Sequence, residues 1–284
     1  MKKHFSEYGP AAYALSVGKE RLKRYGDWAL HARKWATLRQ STDLPVVLCR
    51  HNSLIRRKLG NVDTQLQDNK AVNLELAAPH IDGVLIRPGE VFSFWRLVGK
   101  PTARKGYREG LVLKNARTDV GIGGGMCQFT NLLHWMVLHS PLTIVEHHHH
   151  NHYDLFPDYN RQIPFGTGTA IFYNYVDYQV MNTTDLTFQF RVGTSETHLC
   201  GELRADRTPP LSYHITEEDA GFVREEDGWY RENRIFRTGF DRLTGNPVFK
   251  ELLLENHARV LYDASLIPPE RVRPCSLAAP QKSS

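Results

Sequence analysis

Cys127 stands between Gly123-Gly124-Gly125-Met126 and Gln128, and a run from Phe129 to Leu138 follows it directly. In that run Phe129, Leu132, Leu133, Met136 and Val137 recur at the spacing of one buried helix face, which places the cysteine at a helix start. Unpaired amides and the positive end of the helix dipole favour an anion there, so a thiolate or a developing oxyanion would be stabilised. Acyl transfer by a cysteine needs a thiolate, a proton acceptor and amide donors. Cys127 supplies the first, and the histidine run His147-His148-His149-His150-Asn151-His152 offers the second. Amides from Gly124 and Gly125 through Gln128, together with the Gln128 side chain, offer the third. The bland alternative is a small residue chosen where a helix packs closely on a sheet.

The same histidines support a different chemistry. On a strand, His148, His150 and His152 would share one face, and Asp154 or Cys127 could complete a transition-metal set. The spacing matches no standard zinc motif, so the expectation is no metal and no cofactor. No G-x-x-x-x-G-K-[ST] pattern follows the glycines, which argues against nucleotide binding.

Several elements must position these groups. Lys19 to Arg39 reads as a basic amphipathic helix with two tryptophans, suited either to its own domain or to an anionic membrane surface. Leu44 to Cys49 reads as a strand, and the stretch from Val72 to Ile81 as a helix. Val84-Leu85-Ile86 and Val91 to Trp95 flank Arg87-Pro88-Gly89-Glu90, which predicts a β-hairpin with Ser93 on the face opposite Phe92 and Phe94. Arg104, Lys105, Arg108, Lys114 and Arg117 surround a strand at Leu111 to Leu113 and form a basic lip for a carboxylate or phosphate, or a solvated loop. Beyond Pro141 the chain is strand-rich, with a boundary at Pro209-Pro210 and a loose tail from Pro268.

The fold expected is α+β, with a central helix packed on a mostly antiparallel sheet. The division expected is a basic helical segment at 1–45, a core domain at 46–208, a β-rich extension at 209–267 and a tail at 268–284. Of the 284 residues 41% are hydrophobic and 24% charged, ordinary for a globular protein, and the net charge of +5 selects no class of partner. The four cysteines are widely separated, which predicts reduced thiols. Phe5 to Ala14 never becomes the apolar run of a signal peptide, so the expected location is cytoplasmic, with peripheral contact to the inner face of the membrane. Nucleic acid is not an expected partner.

The motifs Arg87-Pro88-Gly89-Glu90-Val91-Phe92-Ser93-Phe94-Trp95, Gly123 to Gln128, Asn131-Leu132-Leu133, His139 to Ile144 and Pro164 to Ala170 resemble the VanW family, named for an accessory protein of vancomycin-resistance clusters. The similarity is strongest from about Ala71 to Leu203. It implies business with cell-wall peptides or their precursors, either as a non-catalytic accessory or as a cysteine acyl transferase resembling L,D-transpeptidases. In the enzymatic case the resemblance implies Cys127 as nucleophile and His150, ahead of Phe156-Pro157, as base, with His148 or His152 in its place if the match shifts by two residues. It also implies Ser93, Gly124, Gly125 and Gln128 around the substrate.

Overall fold

A computed structural model describes residues 8–30, 33–57, 63–114, 117–149, 153–157 and 162–274. It is an α+β fold with a central helix on an antiparallel sheet, preceded by a helix and followed by a β-rich extension.

The central sheet contains β2 (Val46–Leu54), β11 (His198–Ala205), β10 (Phe188–Thr194) and β3 (Leu85–Ile86), in that spatial order and antiparallel throughout. Two helices lie on it. The first, α2 (Thr64–Ile81), packs on β10, and the second, α4 (Cys127–Leu138), packs on β11 and β2. The apolar stripe of α4 is fully covered, with Phe129, Leu133, Met136 and Val137 at zero exposure. Aromatic edges knit this core together: Phe92 meets Phe190 at 5.1 Å between ring centres, and Phe94 meets Phe129 at 5.5 Å.

A second sheet joins β1 (Lys34–Trp35), β4 (Glu90–Ser93), β9 (Gln179–Met181) and β7 (Thr143–Glu146). The chain crosses from β3 to β4 at Arg87-Pro88-Gly89-Glu90, where the Glu90 amide donates to the Arg87 carbonyl at 2.9 Å. The expected hairpin is therefore a corner: β3 pairs with β10, β4 pairs with β1 and β9, and the two do not pair with each other. Phe94 and Trp95 do not extend β4 but begin the short helix α3 (Phe94–Val98).

A separate hairpin, β5 (Glu109–Lys114) with β6 (Arg117–Ile122), leads into the glycine loop. Only its first strand was anticipated. The C-terminal region is a long antiparallel meander of β12 (Leu211–Glu225), β13 (Gly228–Asp241) and β14 (Pro247–Val260), with β8 (Tyr153–Asp154) parallel to β14 at the edge.

The N-terminal helix is α1 (Pro10–Leu30), which begins earlier than expected and gives way to β1 where helix was expected to continue to Arg39. No residue of α1 is fully buried; Trp28 packs partly buried against the core, and polar contacts add to it. Arg24 forms a double hydrogen bond to Glu146, each at 2.6 Å, and also donates to the Tyr175 carbonyl. Tyr25 and Tyr173 share a hydroxyl hydrogen bond of 2.8 Å. Among the described residues no helix is long and apolar enough to cross a membrane.

Candidate functional site

The glycine loop is shaped from behind by close backbone packing. A Cβ on Gly124 would fall 2.1 Å from the backbone of Gly110 in β5, and one on Gly125 would fall 2.3 Å from the stem of Lys70 in α2. No larger residue fits at either position. Asn73, fully buried in α2, then fixes the loop: its amide donates to the Gly124 carbonyl at 2.9 Å and the Arg108 carbonyl at 3.0 Å, and its oxygen accepts from the Arg108 amide at 2.8 Å. Lys70 lies beside Asn73, nearly buried, with its ammonium donating to Gln67 at 2.8 Å. Burial, reinforced by Arg57 and Arg56, pushes the Lys70 ammonium down to about 7.

In front of the loop is a cleft of about 310 Å³. Gly123, Gly124, Gly125, Met126 and Cys127 form its floor; Trp95, Pro101, Leu111, Ile122 and Ile171 are among its apolar walls. Arg21 from α1 and Lys100 from the loop after α3 are its charged residues. Arg21 is held by its Nε, which donates to the Tyr173 carbonyl at 2.9 Å.

The loop amides do not form an anion nest. Gly123 N donates to Arg108 O, Gly124 N to Gly121 O, and Gly125 N to Leu111 O, all within 3.0 Å. What remains near the sulfur is the amide of Cys127 itself and that of Ile171, both of which favour the thiolate. Desolvation outweighs them, and burial pushes the Cys127 thiol up from its ordinary value. Among the described residues no histidine is hydrogen-bonded to Cys127.

Of the residues predicted from sequence, the structure brings Gly124, Gly125 and Cys127 together in the cleft. Gln128 turns away from it, its amide donating to Ser53 Oγ and the Leu54 carbonyl, each at 2.9 Å, so it fastens α4 to β2. Ser93 is also apart: it is buried, donates to Asp177 at 2.5 Å and caps α3 through the Arg96 amide. His150 lies outside the described residues. Of the expected basic lip, Arg104 and Lys105 are exposed outside the cleft, where the Lys105 ammonium donates to the Lys100 carbonyl.

His147, His148 and His149 are not on a strand. His147 stacks on His134 of α4 with ring centres 4.1 Å apart, and His149 meets His147 at 4.5 Å. Burial and mutual repulsion push His147 down to about 4 and hold His134 well below the ordinary histidine range. His134 lies seven residues after Cys127, on the same face but about 10 Å along the helix, so this neutral stack braces the later turns of α4. The described group with metal-ligand spacing is instead Glu225, Glu232 and His257 on the meander, where His257 is bonded to Glu232 at 2.9 Å.

Sequence reasoning did not find Arg21, Lys100, Asn73 or the Ile171 amide. Only tertiary docking brings Arg21 and Ile171 to the cleft, and no local pattern signals that. Asn73 gave a faint sign, a polar residue on the apolar side of a predicted helix.

Fold and cleft define a class: an α+β protein in which a glycine loop presents a cysteine at the start of a buried helix. The family model described as VanW like protein matches residues 69–204. The chain is 35% identical over 219 residues, 77% of its length and 79% of the relative's, to the vancomycin B-type resistance protein VanW of Enterococcus faecalis. It is 34% identical over 82 residues to the uncharacterized protein YoaR of Bacillus subtilis, covering 29% of this chain and 27% of that one. No solved structure matches. The chain belongs to the VanW-like family.

Proposed function

We propose that the protein is an accessory of the glycopeptide-resistance type that holds a short cell-wall peptide or precursor in the Cys127 cleft. The observation that carries this reading is the cleft itself, whose volume is at the lower end of small-ligand sites and whose apolar walls surround a few polar groups. The raised thiol and the bonding of His134 and His147 to Tyr178 and the Gly168 carbonyl favour binding over turnover. The test is calorimetric titration of the wild type and Cys127→Ala with a synthetic cell-wall pentapeptide. Binding by both proteins, with no change in mass, is the expected result, and absence of binding by both refutes the reading.

A second reading, cysteine acyl transfer, is favoured by the amides of Cys127 and Ile171 at the sulfur. In it the Cys127 sulfur bonds to the peptide carbonyl carbon, the C–N bond breaks, and the thiol proton leaves on the departing amine. Intact-mass analysis separates the two: a thioester adduct formed by the wild type and lost in Cys127→Ala supports transfer. Its absence throughout turnover assays removes that reading.

A further inference from the structure

We infer that the cleft is an anion site, completed by α1, that takes its ligand by a carboxylate held between Arg21 and Lys100. This deepens the peptide-binding reading by naming the group recognised.

The charge pattern carries the inference. Among the described residues the cleft is lined by these two cations and by no aspartate or glutamate. Arg21 donates from Nε to the Tyr173 carbonyl, and its guanidinium carbon lies 5.6 Å from the centre of the Tyr173 ring. These contacts fix the plane of the group and leave its terminal nitrogens without an acidic partner among the described residues. The Lys100 ammonium likewise has no carboxylate partner among them. Nearby acids are otherwise engaged: Glu146 is bound by Arg24, and Asp177 by Ser93 and the Trp95 amide. Two cations lining an apolar cleft attract anions, and a planar guanidinium matches a carboxylate in a forked geometry. The walls of Trp95, Leu111, Ile122 and Ile171 suit aliphatic side chains behind that carboxylate. Because Arg21 belongs to α1, a helix with no fully buried residue, the ligand would bridge α1 to the core and add to the contacts that hold it in place.

The test uses charge on the probe. Alkylation of Cys127 by iodoacetate and by iodoacetamide, followed at pH 9 by peptide mapping, gives a rate ratio to compare with that of a free cysteine derivative. The ratio at Cys127 is expected to exceed the free value by about tenfold and to fall several-fold in Lys100→Gln, whose fold is checked by circular dichroism. A ratio at or below the free value, a ratio unchanged in Lys100→Gln, or failure of both reagents to reach Cys127 overturns the proposal. Binding of an acetylated D-alanyl dipeptide and of its C-terminal amide then separates this inference from the one beneath it. Tighter binding of the acid by about tenfold supports both. Equal binding overturns the carboxylate assignment and leaves the peptide reading standing. Binding of neither peptide, with the alkylation ratio still raised, overturns the peptide reading and leaves the anion site.

Discussion

Asn73→Ala probes whether the glycine loop is set from behind by α2. The side chain satisfies three backbone groups, the Arg108 amide and the carbonyls of Arg108 and Gly124. Arg108 O keeps a partner without it, because the Gly123 amide also donates there at 2.9 Å. The truncation therefore strands one donor, Arg108 N, and one buried acceptor, Gly124 O. At about 1–3 kcal/mol for each buried group left unsatisfied, with the Arg108 amide nearer water and at the low end, the expected loss is about 2–4 kcal/mol. Urea unfolding measures the total. Amide hydrogen exchange localises it: the Gly125 amide, bonded to Leu111 O at 2.8 Å, should lose more protection than the amides of β10 and β11. Asn73→Asp sharpens the test, because the oxygen replacing the amide nitrogen would face two carbonyls unless protonated, so it should be more damaging at pH 7 than at pH 5. A loss under about 1 kcal/mol in Asn73→Ala, with Gly125 protection intact, would refute the idea that this residue fixes the loop.

Three other predictions concern titration. Burial, only partly offset by bonds from Ser93 and Trp95, pushes Asp177 up to about 6 from 3.8, so the folded state binds its proton more tightly and stability falls as pH rises through that window. Asp177→Asn should remove roughly 3 kcal/mol of that fall, seen by comparing unfolding free energies of the two proteins from pH 4 to 7. Lys70 behaves in the opposite direction: its folded value of about 7 lies below the unfolded 10.5, so stability contributed by this group rises with pH between them. Lys70→Met should be the more stable protein at pH 7, by an amount on the order of a few kcal/mol that shrinks towards pH 10, in the same assay. Finally, alkylation of Cys127 by iodoacetamide should keep accelerating above pH 9, where an ordinary thiol levels off, because its thiolate forms only at higher pH. A rate that levels off below pH 8 would mean an activated thiolate.

What the sequence made legible was what local pattern governs. The α4 stripe and the glycines before it are both local, and the structure realises them as a helix start with Cys127 in the cleft. Strands β9, β10 and β11 were visible because alternation and turn residues mark them. The β3–β4 turn was misread for a physical reason: Pro-Gly fixes the same four residues whether the strands fold back or diverge into two sheets. The partners that decide it, Phe188 for Ile86 and Met181 for Val91, lie 102 and 90 residues away. Arg21 was legible as one more basic residue on an amphipathic helix, and its place in the cleft depends on the Tyr173 carbonyl, 152 residues distant.

Glu146 shows how the rim and the core are joined. Its carboxylate accepts from Arg24 of α1, from the Asp177 amide at 2.9 Å and from His148 at 3.2 Å. Desolvation would raise it, yet these partners hold it below the ordinary glutamate value, so it remains an anion at the base of α1. Asp177, whose own amide Glu146 accepts, turns its carboxylate the other way to accept from Ser93, Trp95 and Tyr178 and so sets the corner from which Trp95 enters the cleft wall. The same short polar chain thus anchors the helix that brings Arg21 and orients Trp95 in the cleft wall. A ligand that displaced α1 would have to separate Arg24 from Glu146, whereas one that bridges Arg21 and Lys100 works with this chain, and for that reason α1 is better understood as part of the site than as a cover over it.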